Sequence, residues 1–160
     1  MTENMKQLFM RQISHEIRNS ILYRKISNFL SVKGLDNLSI KFKKDAEDEM
    51  NHSLWLQDFM EKVNEIVDFI PYSPITEQIT LGNFAELALQ VELMTTEMLN
   101  EMLQESYEIG NSVIITEFLL GTMIKEQIEE TEKANKLNDQ IKNIGEDVKF
   151  LQLYDNTIEV

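Results

Sequence analysis

The chain has no cysteine, only two prolines and five glycines, and a single tryptophan among 160 residues. Without cysteine there is no disulfide, no thiolate metal site and no thiol nucleophile. With so few helix breakers, the long stretches rich in Leu, Ile, Met, Glu and Lys favour helices. Basic residues are also scarce, 15 Lys and Arg against 28 Asp and Glu, a formal net charge of -13. Binding a nucleic-acid backbone needs clustered Lys and Arg to displace counterions, so no nucleic-acid partner is expected and cations suit the chain better. No segment approaches the roughly 20 apolar residues of a membrane span. The start "MTENMKQLFM" lacks a basic region followed by a long apolar run, so no signal peptide is read. The expectation is a cytoplasmic protein with no membrane partner.

What is present is a hydrophobic content of 42%, enough for a sizeable core in one domain over residues 1–160. Four long helical segments are expected, from about Glu3 to Ser31, Asp36 to Asn64, Asn83 to Glu108 and Ser112 to Lys142. Gly34 breaks the first from the second, with Asp36 or Asn37 as candidate cap. "IGNS" serves as stop and restart between the third and fourth. The connection "IVDFIPYSPITEQITLGN" contains Pro71 and Pro74 and cannot continue a helix. At about 18 residues it is long for a loop, which fits a crossover running the length of the domain to start a parallel neighbour. The expected fold is all-α, a four-helix bundle over about residues 3–142 with one long crossover. A short C-terminal fifth helix, about 146–155, carries "VKFLQLYDN".

Helical stripes place one carboxylate near the middle of each segment. The first reads Phe9, Ile13, Glu16, Ser20, Tyr23, Ser27, Leu30, and the second Phe42, Ala46, Glu49, Ser53, Leu56, Met60, Val63. The third reads Ala85, Ala88, Glu92, Thr95, Leu99, Met102, and the fourth Leu119, Met123, Glu126 or Gln127, Glu130, Leu137, Ile141. In antiparallel helices of similar length these midpoints share one height, so the carboxylates should converge in a layer. Glu49 and His52 lie roughly 300° apart around the helix and about 4.5 Å along it, on one face. Several buried carboxylates repel one another and raise their pKa values unless cations or protons neutralise them. The pattern points to a buried metal site, dinuclear, with oxygen ligands and one imidazole. Such a donor set suits iron and admits manganese or zinc.

One Glu on a helix is ordinarily a solvated residue; four at one height are not explained that way. Glu47, Asp48 and Glu129 flank the layer and read equally well as surface charge. His15, beside the first stripe, reads as a surface histidine. The nine Met residues read as core filler, and Trp55 as packing or interface.

These residues resemble the ferritin family, specifically the bacterial non-haem ferritins. "HEIRNSILYRKIS" is similar to the first-helix motif, with Glu16 seven residues before Tyr23, and "DEMNH" to the second-helix Glu-x-x-His. "VEL" at Glu92 and "KEQIEE" up to Glu130 resemble the third and fourth, and the similarity extends over nearly the whole chain. The resemblance implies a ferroxidase centre. Glu16, Glu49 and His52 would hold a first iron, Glu49 would bridge, and Glu92 and Glu130 would hold a second with Gln127 nearby. Tyr23 would be a hydrogen-bond partner and electron donor beside the centre, grouped with Glu49 and His52 in catalysis. A third iron site would use Asp48, Glu126, Glu129 and Glu130, although a Glu is more typical at the position of Asp48. The resemblance further implies Fe(II) as substrate, dioxygen or hydrogen peroxide as oxidant, and a homo-oligomeric cage of 24 subunits that stores ferric mineral.

Bacterioferritins resemble the chain less, because Glu126 is followed three residues later by Glu129 rather than by the His of a second Glu-x-x-His. Haem binding, through Met50, is therefore a minority reading. Two competing functions are a storage or shell subunit with a slow or inactive centre, and a di-iron peroxidase of the rubrerythrin type, for which the Cys-rich module is missing.

Overall fold

The structure is a computed structural model describing residues 1–108 and 113–160. The expected break at "IGNS" lies outside the described residues. Helix α1 spans Glu3–Val32, α2 Asp36–Lys62, α3 Phe84–Glu108 and α4 Val113–Phe118. A π-helical segment, Leu119–Ile124, leads without a bend in backbone class into α5, Lys125–Ile144, and α6 spans Val148–Asp155. There is no strand among the described residues.

Side-chain pairs fix the directions. Arg11 faces Glu101 and His15 faces Thr95, so α3 runs antiparallel to α1. Ser106 faces Thr116 and Glu92 faces Gln127, so the run from α4 through α5 is antiparallel to α3. The crossover, residues 63–83, follows α1 in the same direction. Ser14 Oγ donates to the Ile70 carbonyl at 2.7 Å, Arg18 Nε to Ser73 at 2.9 Å and Lys25 Nζ to Glu77 at 2.6 Å. It carries the chain back along the bundle, so α3 starts beside the start of α2 and runs parallel to it.

The expected stripes face inward: every member in α1 and α3 is buried, as are those in α2 except the half-buried Val63. The apolar residues fall into two clusters. One holds Leu22, Ile26, Leu30, Leu38, Phe42, Phe84, Leu137 and Leu151. The other holds Met5, Phe9, Ile13, Leu56, Phe59, Leu99, Leu119 and Met123. Rings brace each: Phe59 stacks on Phe118 at 4.3 Å between centroids, and Phe42 meets Phe84 edge-on at 6.0 Å. Between the clusters lie Glu16, Glu49, His52, Glu92 and Gln127, all buried.

The π-helical segment explains the fourth stripe. Successive steps of four in an α-helix advance by about 40° and would carry the stripe off the core within two steps. The wider π turn takes that drift back, so Leu119, Met123 and Gln127 are all buried. The start of α2 also differs from the expected cap. Leu35, not Asp36 or Asn37, is the N-cap residue and offers no side-chain hydrogen bond. Asp155 at the end of α6 supplies the acceptors instead, taking Leu38 N at 2.7 Å and Asn37 N at 3.2 Å. The cap thus comes from 117 residues away and docks the last helix.

Candidate metal centre

Each buried carboxylate of the layer is held by a side-chain amide. Gln12 Nε2 donates to Glu16 Oε1 at 2.5 Å, Asn19 Nδ2 to Glu49 Oε2 at 3.0 Å, and Gln127 Nε2 to Glu92 Oε2 at 2.8 Å. Tyr23 adds its hydroxyl to Glu92, a short hydrogen bond, and reaches the Ala88 carbonyl at 3.3 Å. These amides lie where a purely apolar stripe would have packed hydrocarbon. Glu16 and Glu49 each keep one oxygen outside these hydrogen bonds, whereas both oxygens of Glu92 are engaged.

Among the described residues, three groups of acidic and imidazole side chains bring ligand atoms within 4.8 Å of one another: Glu16, Glu49 and His52; Glu49, Glu92 and Glu130; and His52, Glu126 and Glu130. Glu49 belongs to the first two, His52 and Glu130 each to two. The layer is therefore continuous, with one carboxylate shared at its centre. His52 stands with Nδ1 3.8 Å from Glu16 Oε2 and Nε2 3.6 Å from Glu130 Oε1, too far for hydrogen bonds. Glu16 Oε2 and Glu130 Oε2 are buried with no hydrogen-bond partner. Orphaned acceptors in an interior are costly, and a divalent cation would satisfy them, so the residues fit a metal.

The electrostatics agree. Burial raises Glu49 well above the usual carboxylate range, and the neighbouring Glu16 and Glu92 push it further. Glu130 is raised to about 8, by burial first, with His52 opposing and Glu92 and Glu16 adding. Burial also raises Glu92, against the hydrogen bonds from Tyr23 and Gln127. Glu16 is lowered: burial works against its charge, but the neighbouring His52 and Glu49 outweigh it. Burial disfavours the imidazolium of His52, yet Glu16 and Glu130 raise it to about 9. Tyr23 is raised by burial and by Glu92 and Glu49. Without metal, then, protons do the neutralising.

A cavity of about 50 Å³ opens beside the layer between α2 and α5. Tyr23, Glu49, Glu92 and Glu130 line it, with Asp45, Asp48 and Glu126. Of the residues expected at a third site, Asp48, Glu126 and Glu130 line this cavity and Glu129 is not among its lining residues. Glu129 is exposed, and neither it nor Asp48 joins any of the three groups among the described residues. On α5 the residue three after Glu126 points outward while Glu130 turns in. Asp48 lies one position before the inward-facing Glu49, at an exposed position. Trp55 is 37% exposed with its ring 5.0 Å from that of His52.

His15 is a correction. It is not a surface histidine but half-buried, with Nε2 2.8 Å from Thr95 Oγ1, and burial lowers its pKa. Sequence reasoning misses Gln12 and Asn19. Their signal is an amide one turn before and one turn after Glu16, on the same face of α1.

A family model described as ferritin-like domain matches residues 6–144. Over 159 residues, 99% of this chain and 95% of the relative, the chain is 23% identical to a protein of Haemophilus influenzae named probable bacterial non-heme ferritin-like protein. An open-pore ferritin from the archaeon Archaeoglobus fulgidus superposes with a TM-score of 0.88 at 23% identity, covering 98% of this chain and 96% of that one. A variant of PmFTN soaked in iron gives 0.89 at 18% identity over 99% and 100%. With the helices, the crossover and the continuous acidic layer already in place, the match over most of its length shows that this chain belongs to the ferritin-like domain family.

Proposed function

We propose that the protein is an iron-storage ferritin whose single domain, residues 1–160, carries a ferroxidase centre inside the subunit. The observation that carries the reading is the sharing of Glu49 between two adjacent groups drawn from four helices, with orphaned oxygens on Glu16 and Glu130. Glu16, Glu49 and His52 hold one ferrous ion, and Glu49, Glu92 and Glu130 the second. Glu49 bridges, and Gln127 and Tyr23 keep Glu92 in place. Glu126, with His52 and Glu130, provides a third group, and Asp48 lines the cavity beside it.

Iron is the substrate here. Binding the cations releases the protons that neutralise Glu49 and Glu130 in the metal-free protein. A carboxylate-rich donor set favours the ferric over the ferrous state. Two ferrous ions give up one electron each, and dioxygen with two protons leaves as hydrogen peroxide, or peroxide with two protons leaves as water. The ferric product moves on to a mineral.

Storage requires a container, and we propose the 24-subunit cage of the family, in the cytoplasm. Apolar side chains exposed on this chain support association with further copies: Leu93, Met94, Leu120 and Ile128 on α3 and around α5, and Phe150 and Leu153 on α6. The acidic surplus suits attraction of ferrous ions.

The test is to add ferrous iron, a few ions per subunit, to iron-free protein in air and follow ferric absorbance against a protein-free control. A fast phase saturating at about two ions per subunit, the number the two groups around Glu49 provide, supports the centre. Oxidation at the control rate sinks the ferroxidase reading. Sedimentation of the same sample reads the cage: a species near the mass of one chain would exclude it.

A further inference from the structure

Glu49 is shared by two ligand groups, so its position sets where both cations sit, and a chain of hydrogen bonds reaches it from the other side of the bundle. Asn19, fully buried on α1, donates from Nδ2 to Glu49 Oε2 at 3.0 Å and to Thr95 Oγ1 at 3.3 Å. Thr95 Oγ1 in turn contacts the Val91 carbonyl at 3.0 Å and His15 Nε2 at 2.8 Å.

The donors can be assigned. A hydroxyl has one hydrogen and two lone pairs. Thr95 spends its hydrogen on the Val91 carbonyl, which can only accept. Its two remaining contacts must therefore both be donors: His15 carries its hydrogen on Nε2, and Asn19 presents NH₂ rather than its carbonyl. The same NH₂ group supplies the second hydrogen to Glu49. Asn19 Oδ1 is left buried with no partner. Turning the amide over would offer that oxygen to Thr95 and Glu49, but Thr95 has no hydrogen left to give, and two acceptors would face each other at Glu49. The arrangement costs Asn19 a hydrogen bond and gives Glu49 a donor.

We infer that Asn19 is a positioning residue for Glu49, and that Thr95 and His15 act through it by locking the amide in the donor orientation. A donor on Oε2 occupies one oxygen of Glu49 from behind, favours the ionised carboxylate needed for cations, and directs the remaining lone pairs toward the two groups. His15 closes the chain at the wall of an outer cavity of about 360 Å³, lined also by Arg18, Leu87 and Met94. The arrangement of both cations thus depends on a residue on the far side of α1 from the cavity between α2 and α5. This rests on the ferroxidase reading for its kinetic consequence, but not for its binding consequence.

The test uses the assembled protein with Co²⁺ as an anaerobic probe, and Fe²⁺ in air separately. Thr95→Val keeps the shape and removes the hydroxyl; Thr95→Ser keeps the hydroxyl; Asn19→Leu removes the amide. Thr95→Val and Asn19→Leu should each weaken the second Co²⁺ by about tenfold, the lower end of what losing a residue that orients a ligand costs. The visible spectrum of the doubly loaded protein should change as well. Thr95→Ser should bind as wild type, and the double variant should be no weaker than Asn19→Leu alone, because both act on one amide. With Fe²⁺, the fast-phase rate at saturating iron should fall in parallel. Wild-type Co²⁺ affinity in Thr95→Val and Asn19→Leu overturns the inference, and so does a Thr95→Ser protein as weak as Thr95→Val. A wild-type protein that binds two Co²⁺ but shows no fast oxidation sinks the ferroxidase reading instead, and the Co²⁺ comparison still decides the inference.

Discussion

His52 Nε2 lies 3.6 Å from Glu130 Oε1, and each sits away from its ordinary protonation state, Glu130 through burial and His52 through its acidic neighbours. Burial opposes the imidazolium of His52, but Glu16 and Glu130 raise it to about 9. Burial raises Glu130 to about 8 despite His52. In the metal-free protein, both keep protons that the unfolded chain gives up at lower pH.

The sign follows from linkage. Where the folded state binds more protons than the unfolded, stability falls as pH rises. Glu130 acts this way from the usual carboxylate range up to about 8, and His52 from the usual imidazole range up to about 9. The melting temperature of the metal-free protein should therefore drop between pH 6 and pH 9, about the window these two groups span. Saturating Co²⁺ should flatten the drop. Calorimetry across that window checks it, and a melting temperature that climbs with pH would show the site to be ionised without metal.

The strap over α1 has the opposite slope. Burial works against the charge of Glu77, but Arg18 Nη2 at 2.6 Å and nearby backbone donors lower its pKa. A depressed carboxyl stabilises above its unfolded value, and that contribution is lost as pH falls through the folded one. Glu77→Gln should be less stable than wild type at neutral pH and should lose less on acidification below about pH 4, the unfolded carboxylate range. Parallel acid denaturation curves would refute it.

Glu49→Gln should separate stability from function. The variant keeps the shape and removes a group whose charge the layer repels, so the metal-free protein should melt no lower than wild type. Cation binding should suffer by at least the roughly 10–100-fold that loss of a mere supporting partner costs. Melting curves and Co²⁺ titrations on one preparation test both halves. A variant that melts several degrees lower yet still loads two ions would contradict the account of Glu49.

Asp155→Ala removes the cap that α6 gives to α2. A lost helix cap costs about 0.5–2 kcal/mol, and here both carboxylate oxygens are engaged. Urea unfolding should show a loss in that range. Hydrogen exchange should quicken at Asn37, Leu38 and along α6, leaving α3 as in wild type. Unchanged exchange at Leu38 would mean that another group caps the helix.

The architecture was legible because each helix repeats its apolar residues on schedule, and Glu16, Glu49 and Glu92 interrupt their stripes at the same height. What the sequence hid are relationships across distance. Nothing local marks Asp155 as the cap of a helix starting at residue 36. His15 looked exposed because only Thr95, 80 residues on, takes its ring inward. The π-helical segment leaves no composition signal, and the choice between Glu126 and Gln127 stayed open until that turn fixed which one is buried. Glu129 adjoins an inward-facing Glu, and helix rotation turns it to the surface, whereas Asp48, beside Glu49, stays at the cavity wall.

The two apolar clusters have no residue in common, and the stratum between them is acidic. Hydrophobic packing therefore does not run unbroken from one end of the molecule to the other. Without cargo, the two ends communicate through the backbones of the helices and a set of protonated carboxyls; with cations in the layer, the seam becomes a weld. On the proposed reading, loading would decide whether the subunit melts as one cooperative unit or opens at one end first.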